Sequence, residues 1–226
     1  MSKPTLEQLR EKCLLLPPFR PYLLDAVIAG TKNRTMRIHA KPRYRVGDIV
    51  AAREPLAAMT RPNNPLLALS LLSGYSDGLI VDPPLRWKWQ RNRLPQMFMP
   101  KSAARHFYRI ERVHEQRPQD LSEEECIREG VEPLESTLSE GRESADFDSS
   151  LCPRCGGLRL YMRINPIIGG VDYDVDCTVC DTHKKRFEHL WSSINDGRVA
   201  HGVDCSWGAN PLCQAYEWGE EIEYDA

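Results

Sequence analysis

The sequence predicts a small β-barrel of the α+β class, interrupted by a cysteine-rich insert. Three observations predict it. Segments rich in strand formers outnumber the few short helices, the longest being RHFYRIERVHEQ at 105–116. Two Cys-x-x-Cys pairs mark off a separate module at 151–181. The 226 residues, 41% of them apolar, suit one sizeable domain, or one domain carrying an insert, with enough apolar material for a core.

The elements follow in chain order. Residues 5–14 form a short helix, and LLPPFRP ends it because proline cannot continue the pattern. PYLLDAVIAG at 21–30 is a helix with proline in its first turn and Gly30 as its C-terminal cap. TMRIHA reads as a strand, KPRYRVGD as a turn and DIVAARE as the returning strand. Residues 56–84 hold Pro, Asn, Ser and Gly around an apolar LLALSLL, and read as a variable loop with a helical turn. RWKW at 86–89 is a short strand, and 105–116 a long one. LSEEECIREG opens on a capping box, Ser122 with Glu125, and stops at Gly130. Residues 134–150, rich in Ser, Glu and Asp, form a linker. FEHLWSSIND at 187–196 is a helix, and PLCQAYEWGEEIEY at 211–224 a last strand with an acidic tail.

A net charge of −2 excludes a polycation, yet the charge is uneven. Residues 1–60 hold eleven Lys/Arg against five Asp/Glu, and residues 86–117 nine against two; residues 118–150 reverse this, with two against eleven. Two basic segments that met in space would form a patch for an anionic partner. Charge alone favours the plainer reading, solvated faces that cancel. No apolar run approaches the ~18 residues of a membrane span. The opening MSKPTLEQLREK lacks the apolar core of a signal peptide, so the expected location is cytoplasmic. In a reducing compartment the eight cysteines serve as thiols or metal ligands rather than disulfides.

Cys152-Pro-Arg-Cys155 and Cys177-Thr-Val-Cys180 stand 21 residues apart. Each pair forms a tight turn that aims two thiolates at one point, and two such turns make a closed four-thiolate zinc site. With no ligand position left for water, that zinc is structural. A redox Cys-x-x-Cys and a set of reduced, metal-free cysteines are the rival readings, and His183 offers a substitute ligand that nothing requires. Cys13, Cys126, Cys205 and Cys213 lack partner spacing and read as buried thiols.

One further stretch stands out. GTKNRTMRI at 30–38 places Lys32, Arg34 and Arg37, with Thr35 among them, where a helix hands over to a strand. It is also the first of four blocks in which the chain resembles the ASCH domain, a relative of the PUA-like RNA-binding barrels. AGTKNRTMR is similar to the family's Gly-x-Lys-x-x-Thr-x-Arg. The other blocks are KPRYRVGDIVAAREP; FMPKSAARHFYRIERV with QDLSEEECIREGV; and LWSSIND with WGANP. Together they cover most of the chain outside 56–84 and 134–181, and the likeness is nearest to the long ASCH proteins of phages and prophages.

The resemblance implies a β-barrel with helices at one end, a cleft lined by the first block, and a nucleic-acid or nucleoside ligand. Some small members hydrolyse the amide of N4-acetylcytidine, and their catalytic Lys, Thr and Glu fall on Lys32, Thr35 and Glu129. There are departures. Those small hydrolases lack the 134–181 insert, Asn33 stands where threonine is common, and AAREPL and NPLCQAYEW lack family aromatics, which weakens base stacking there.

In such a cleft Lys32 and Arg37 would hold a phosphate or polarise a carbonyl, and Thr35 would bond a base edge or act as nucleophile. Hydrolysis would need neutral Lys32, whose ordinary pKa of about 10.4 must then fall by several units. Glu129 would pass a proton to the leaving amine. A Lys32–Glu129 ion pair that only braces the cleft is the plainer alternative. Arg34 joins Lys32 and Arg37 as a candidate ligand contact. Arg45, Arg53, Lys101 and Arg105 extend the basic surface, though each reads more readily as a solvated charge or a partner of Glu54. Trp207 and Asn210 would line the cleft, or be a core tryptophan and a hydrogen-bonded turn. The six histidines show no ligand spacing.

The expected organisation is a barrel first part at 15–133, a linker and zinc-ribbon-like insert at 134–184, and a barrel last part with an acidic tail at 185–226. The leading expectation is binding of RNA or a modified nucleotide. An amide hydrolase or nuclease is the second reading, and a phage-associated module with a protein partner the third.

Overall fold

The computed structural model describes residues 3–39, 41–59, 67–70, 79–80, 93–131, 160–164, 171–176 and 182–225. The fold is mixed α+β. In chain order its strands are β1 (Leu14–Leu15), β2 (Arg34–Arg37), β3 (Ile49–Ala51), β4 (Leu56–Met59), β5 (Leu67–Ser70), β6 (Leu79–Ile80) and β7 (Arg93–Leu94). Next come β8 (Phe107–Gln116), β9 (Leu160–Ile164), β10 (Val171–Asp176), β11 (Val199–Ala200), β12 (Val203–Asp204) and β13 (Cys213–Glu221). The helices are α1 (Leu6–Lys12), α2 (Pro21–Ile28), α3 (Glu123–Arg128) and α4 (His183–Asn195). The main sheet has the order β1-β3-β8-β13-β2.

The chain divides into two compact units. The first comprises 1–33, 44–113 and 216–226. Within it β1 pairs parallel with β3, and β3 antiparallel with β8, in the register Val50 opposite Tyr108. A second sheet of this unit runs β6-β5-β4-β7. Its core joins Leu6 and Leu9 of α1, and Cys13 at the C-cap of that helix, to Leu56, Met99 and Phe107. Leu9 is only 2% exposed, so truncating it to alanine costs about 2–5 kcal/mol. Helix α1 begins on a capping box, Thr5 with Gln8. Helix α2 carries Pro21 at its first turn, where the missing N–H is not needed.

The second unit comprises 34–43 and 114–215. It holds β2, α3, α4 and two small hairpins, β9–β10 and β11–β12. Helix α3 has the expected capping box: the Ser122 hydroxyl accepts from Glu125 N at 3.1 Å, and Glu125 Oε2 accepts from Ser122 N at 2.9 Å. Gly130 follows with φ +94°, the left-handed cap that an L side chain resists. Phe187, Leu190 and Trp191 of α4 are buried, and Trp191 Nε1 donates to Cys205 O at 2.8 Å. The Glu123 carboxylate accepts from His183 N at 2.7 Å and so caps α4 from the first turn of α3.

Two expectations need correction. The segment 56–84 reads from sequence as a loop with a helical turn. Its described residues are strands instead, and β4 pairs with β5 from Leu56 opposite Ser70 to Met59 opposite Leu67. A short apolar run such as LALS fits either period, and pairing decides it. Helix α4 starts four residues before Phe187, capped by the Thr182 hydroxyl accepting from Lys185 N at 3.2 Å. RWKW at 86–89 and the linker at 134–150 lie outside the described residues, as do Cys152, Cys155, Cys177 and Cys180. Among the described residues no helix is long and apolar enough to cross a membrane.

Candidate functional site

In the first unit the chain leaves α2 through Gly30, whose φ is +77°. Lys32 N donates to Ala26 O at 2.9 Å, and the Thr31 hydroxyl donates to the same oxygen at 3.2 Å. These bonds absorb carbonyls that the helix end leaves open. The reversal carries Lys32 inward to 2% exposure. Its Nζ stands 5.3 Å from the Phe19 ring centroid, within reach of a cation–π attraction. Phe19 packs on Trp218, and Trp218 on Tyr108, with centroids 6.5 and 6.2 Å apart. Trp218 N donates to Asn33 O at 3.0 Å, which fixes the next residue of the block.

In the second unit Arg34 and Thr35, at 0% and 2% exposure, open β2. Arg34 Nη1 lies 3.2 Å from Glu125 Oε1, its Nε 4.0 Å from Glu129 Oε1, and its Nη2 donates to Gln116 Oε1. Gln116 in turn donates to Glu125 Oε2 at 3.1 Å, and His114 Nε2 lies 3.1 Å from Gln116 Oε1. Burial is the largest influence on Glu125 and opposes its charge. The Ser122 amide, Arg34 and Gln116 together outweigh it and hold the carboxyl below its usual range. Glu129 ends α3 at 5% exposure. Burial, then the charges of Glu123 and Glu129, push the Cys126 thiol up to about 12.

The remaining candidates spread through the two units. In the first, Arg105 makes a two-pronged contact with the buried Glu54, its Nε donating at 3.1 Å, as the plainer alternative expects. His106 adds a second base to that carboxylate at 3.6 Å. Arg53 Nη1 donates to Met97 O at 2.7 Å. In the second unit Asn210 has φ +45°, and its Oδ1 accepts from Gln119 N at 3.1 Å. Gln119 Nε2 also donates to Trp207 O at 2.8 Å. Trp207 meets Phe187 edge-on at 6.2 Å and borders a cleft of about 420 Å³ with Glu123, Lys184 and Lys185. Arg37 closes β2, half-buried.

Sequence reasoning missed Gln116, His114 and Glu125 as the setting of Arg34. The capping box named Glu125 but gave it only the helix end; the same carboxylate faces two ways. No protein-family model, no curated protein and no solved structure matches the chain.

Proposed function

We propose that the chain is an ASCH-type, PUA-like barrel protein that binds RNA or a modified nucleotide. One observation carries the reading. The positive block at 32–35 is buried rather than solvated, with Lys32 at 2% and Arg34 at 0% exposure. Lysine and arginine are almost never buried this far without a purpose in pairing or in function. The solvated-face alternative therefore loses its support for these residues.

The test is fluorescence anisotropy with a single-stranded RNA oligonucleotide, from about 50 to 200 mM salt, where phosphate contacts make log K fall linearly with log salt. Lys32→Met keeps most of the length of the side chain and removes the charge; it weakens binding at least tenfold. Binding indifferent to salt and to Lys32→Met ends the reading.

A second reading is favoured by Glu129, a carboxylate at 5% exposure beside Arg34, the residue before Thr35. It is hydrolysis of an N4-acylated cytidine-type nucleoside. The Thr35 hydroxyl attacks the acyl carbon, neutral Lys32 takes its proton, and Glu129 protonates the leaving amine; water then releases the acyl group. Turnover of N4-acetylcytidine that vanishes in Lys32→Ala supports it, and no turnover on a nucleoside panel removes it.

For zinc, the donor set and the hairpin fit. Cys152 and Cys155 precede β9, and Cys177 and Cys180 follow β10. The antiparallel register sets Leu160 opposite Asp176, so the chain enters and leaves that hairpin at one end. Four thiolates would hold a structural zinc.

A further inference from the structure

The second unit holds a cleft that the reading above does not use. Its wall is built from α3, α4 and the Trp207 loop, and includes Gln119, Glu123, Lys184, Glu188 and Trp207. Its volume of about 420 Å³ falls within the range of small-ligand sites. Trp207 is half-exposed there, and tryptophan is enriched where part of the ring meets a partner. Its loop is pinned. Gln119 Nε2 donates to Trp207 O at 2.8 Å, Gln119 N to Asn210 Oδ1 at 3.1 Å, and Asn210 N to Trp207 O at 3.1 Å. Arg117 Nη1 adds a bond to Asn210 O. Phe187 braces the indole edge-on at 6.2 Å. A ring already immobilised by its own chain loses little freedom when a ligand stacks on it.

Polar groups complete the wall. Because Gln119 Nε2 donates to a carbonyl, its Oε1 is the end left to accept. Lys184 and Glu188 stand four residues apart on α4, so they share a face of that helix. Neither the Lys184 ammonium nor the Glu188 carboxylate has a hydrogen bond or ion pair among the described residues. Glu123 differs, because its carboxylate is occupied by the amides of His183 and Lys184. The first turn of α4 is thereby capped, and an anion in the cleft turns to Lys184 rather than to the helix end. With Glu123 and Glu188 beside Lys184 and Lys185, the wall is mixed in charge rather than basic. It suits a ligand with three parts: a flat ring for the indole, an N–H donor for Glu188 and Gln119, and an oxyanion for Lys184. A nucleotide whose base carries an exocyclic amino group has all three, and uracil lacks the amino group.

We propose that this cleft holds one nucleotide of an RNA strand, with an amino-bearing base such as cytosine. The base lies on Trp207, its amino group donates to Glu188, and its phosphate pairs with Lys184. The assignment rests on the RNA-binding reading above, and adds to it a place and a base preference. An aromatic ring stacks on any base, so Trp207 supplies affinity. A glutamate accepting from the cytosine amino group supplies the choice.

Anisotropy with oligocytidylate and oligouridylate of equal length separates the two contributions. Wild type binds oligocytidylate at least about fivefold tighter, the low end for one base-edge contact. Glu188→Ala removes that preference and keeps the wild-type melting temperature. Trp207→Ala weakens both oligonucleotides about five- to 150-fold, the range for losing one base stack, and Trp207→Phe, which keeps a stacking ring, restores most of it. Lys184→Met makes the salt slope shallower by about 0.7, one single-strand phosphate contact. Equal affinity of wild type for the two oligonucleotides overturns the base assignment. RNA binding that falls in Lys32→Met but is unchanged in Trp207→Ala, Lys184→Met and Glu188→Ala overturns the cleft alone, as when the cleft takes a peptide instead. Absence of any RNA binding by wild type overturns the RNA reading together with it.

Discussion

Replacing Glu125 with alanine probes the setting of Arg34 directly. Breaking a buried ion pair costs about 3–5 kcal/mol when the remaining charge is sealed in. Arg34 is sealed, but the Glu125 side chain is 22% exposed, and Glu129 stays 4.0 Å from Arg34 Nε. The loss from the pair is therefore nearer 2 kcal/mol. Removing the acceptor of Ser122 N at the start of α3 adds about 1 kcal/mol. The total of about 3 kcal/mol lowers the melting temperature by roughly 6–12 °C for a chain of this size. Urea or thermal unfolding by circular dichroism measures it. Glu125→Gln keeps the acceptor and loses the charge, so it falls between the two. The sign with pH follows from the lowered carboxyl pKa. The advantage of wild type over Glu125→Gln is complete above the ordinary glutamate range and disappears as pH falls through the lowered value. An alanine variant within about 0.5 kcal/mol of wild type, the spread of ordinary surface substitutions, would refute the account.

Other outcomes can be checked as simply. Gly30→Ala meets no atom within 4 Å, so its effect is backbone strain alone, about 1–2 kcal/mol, read from the urea midpoint. Cys126 and Cys213, both held near 12 chiefly by burial, stay unlabelled by a disulfide reagent at pH 8 and react once the chain is unfolded; peptide mass spectrometry shows labelling in minutes if their burial is wrong. Metal analysis of the purified chain finds one zinc per molecule, lost in Cys152→Ser and in Cys177→Ser; a chain without zinc that folds normally removes the four-thiolate centre.

What the sequence made legible was local. The box at Ser122–Glu125 is a four-residue pattern, and α3 starts where the pattern puts it. Gly30 and Gly130 announce left-handed caps for the same reason. The strand at 107–116 declares itself by composition. Helix α4 was read four residues short because HKKR has no apolar period and its cap sits beside the cysteine module. The β11–β12 turn was missed because His-Gly is a weaker signal than Asn-Gly. The partners of Arg34 could not be read at all. Gln116 is 82 residues away along the chain, and only folding selects which of many carboxylates and amides reaches a given guanidinium.

The hydrogen bond from His183 N to Glu123 has an evolutionary corollary. Fifty residues separate Val131 from Thr182, and the single carboxylate of Glu123 fastens the roots of that excursion to each other. With its base clamped, the length of the excursion scarcely burdens the remainder, since closing a longer loop adds only a logarithmic penalty. A lineage could graft, trim or exchange whatever lies between those roots and leave the parent scaffold intact.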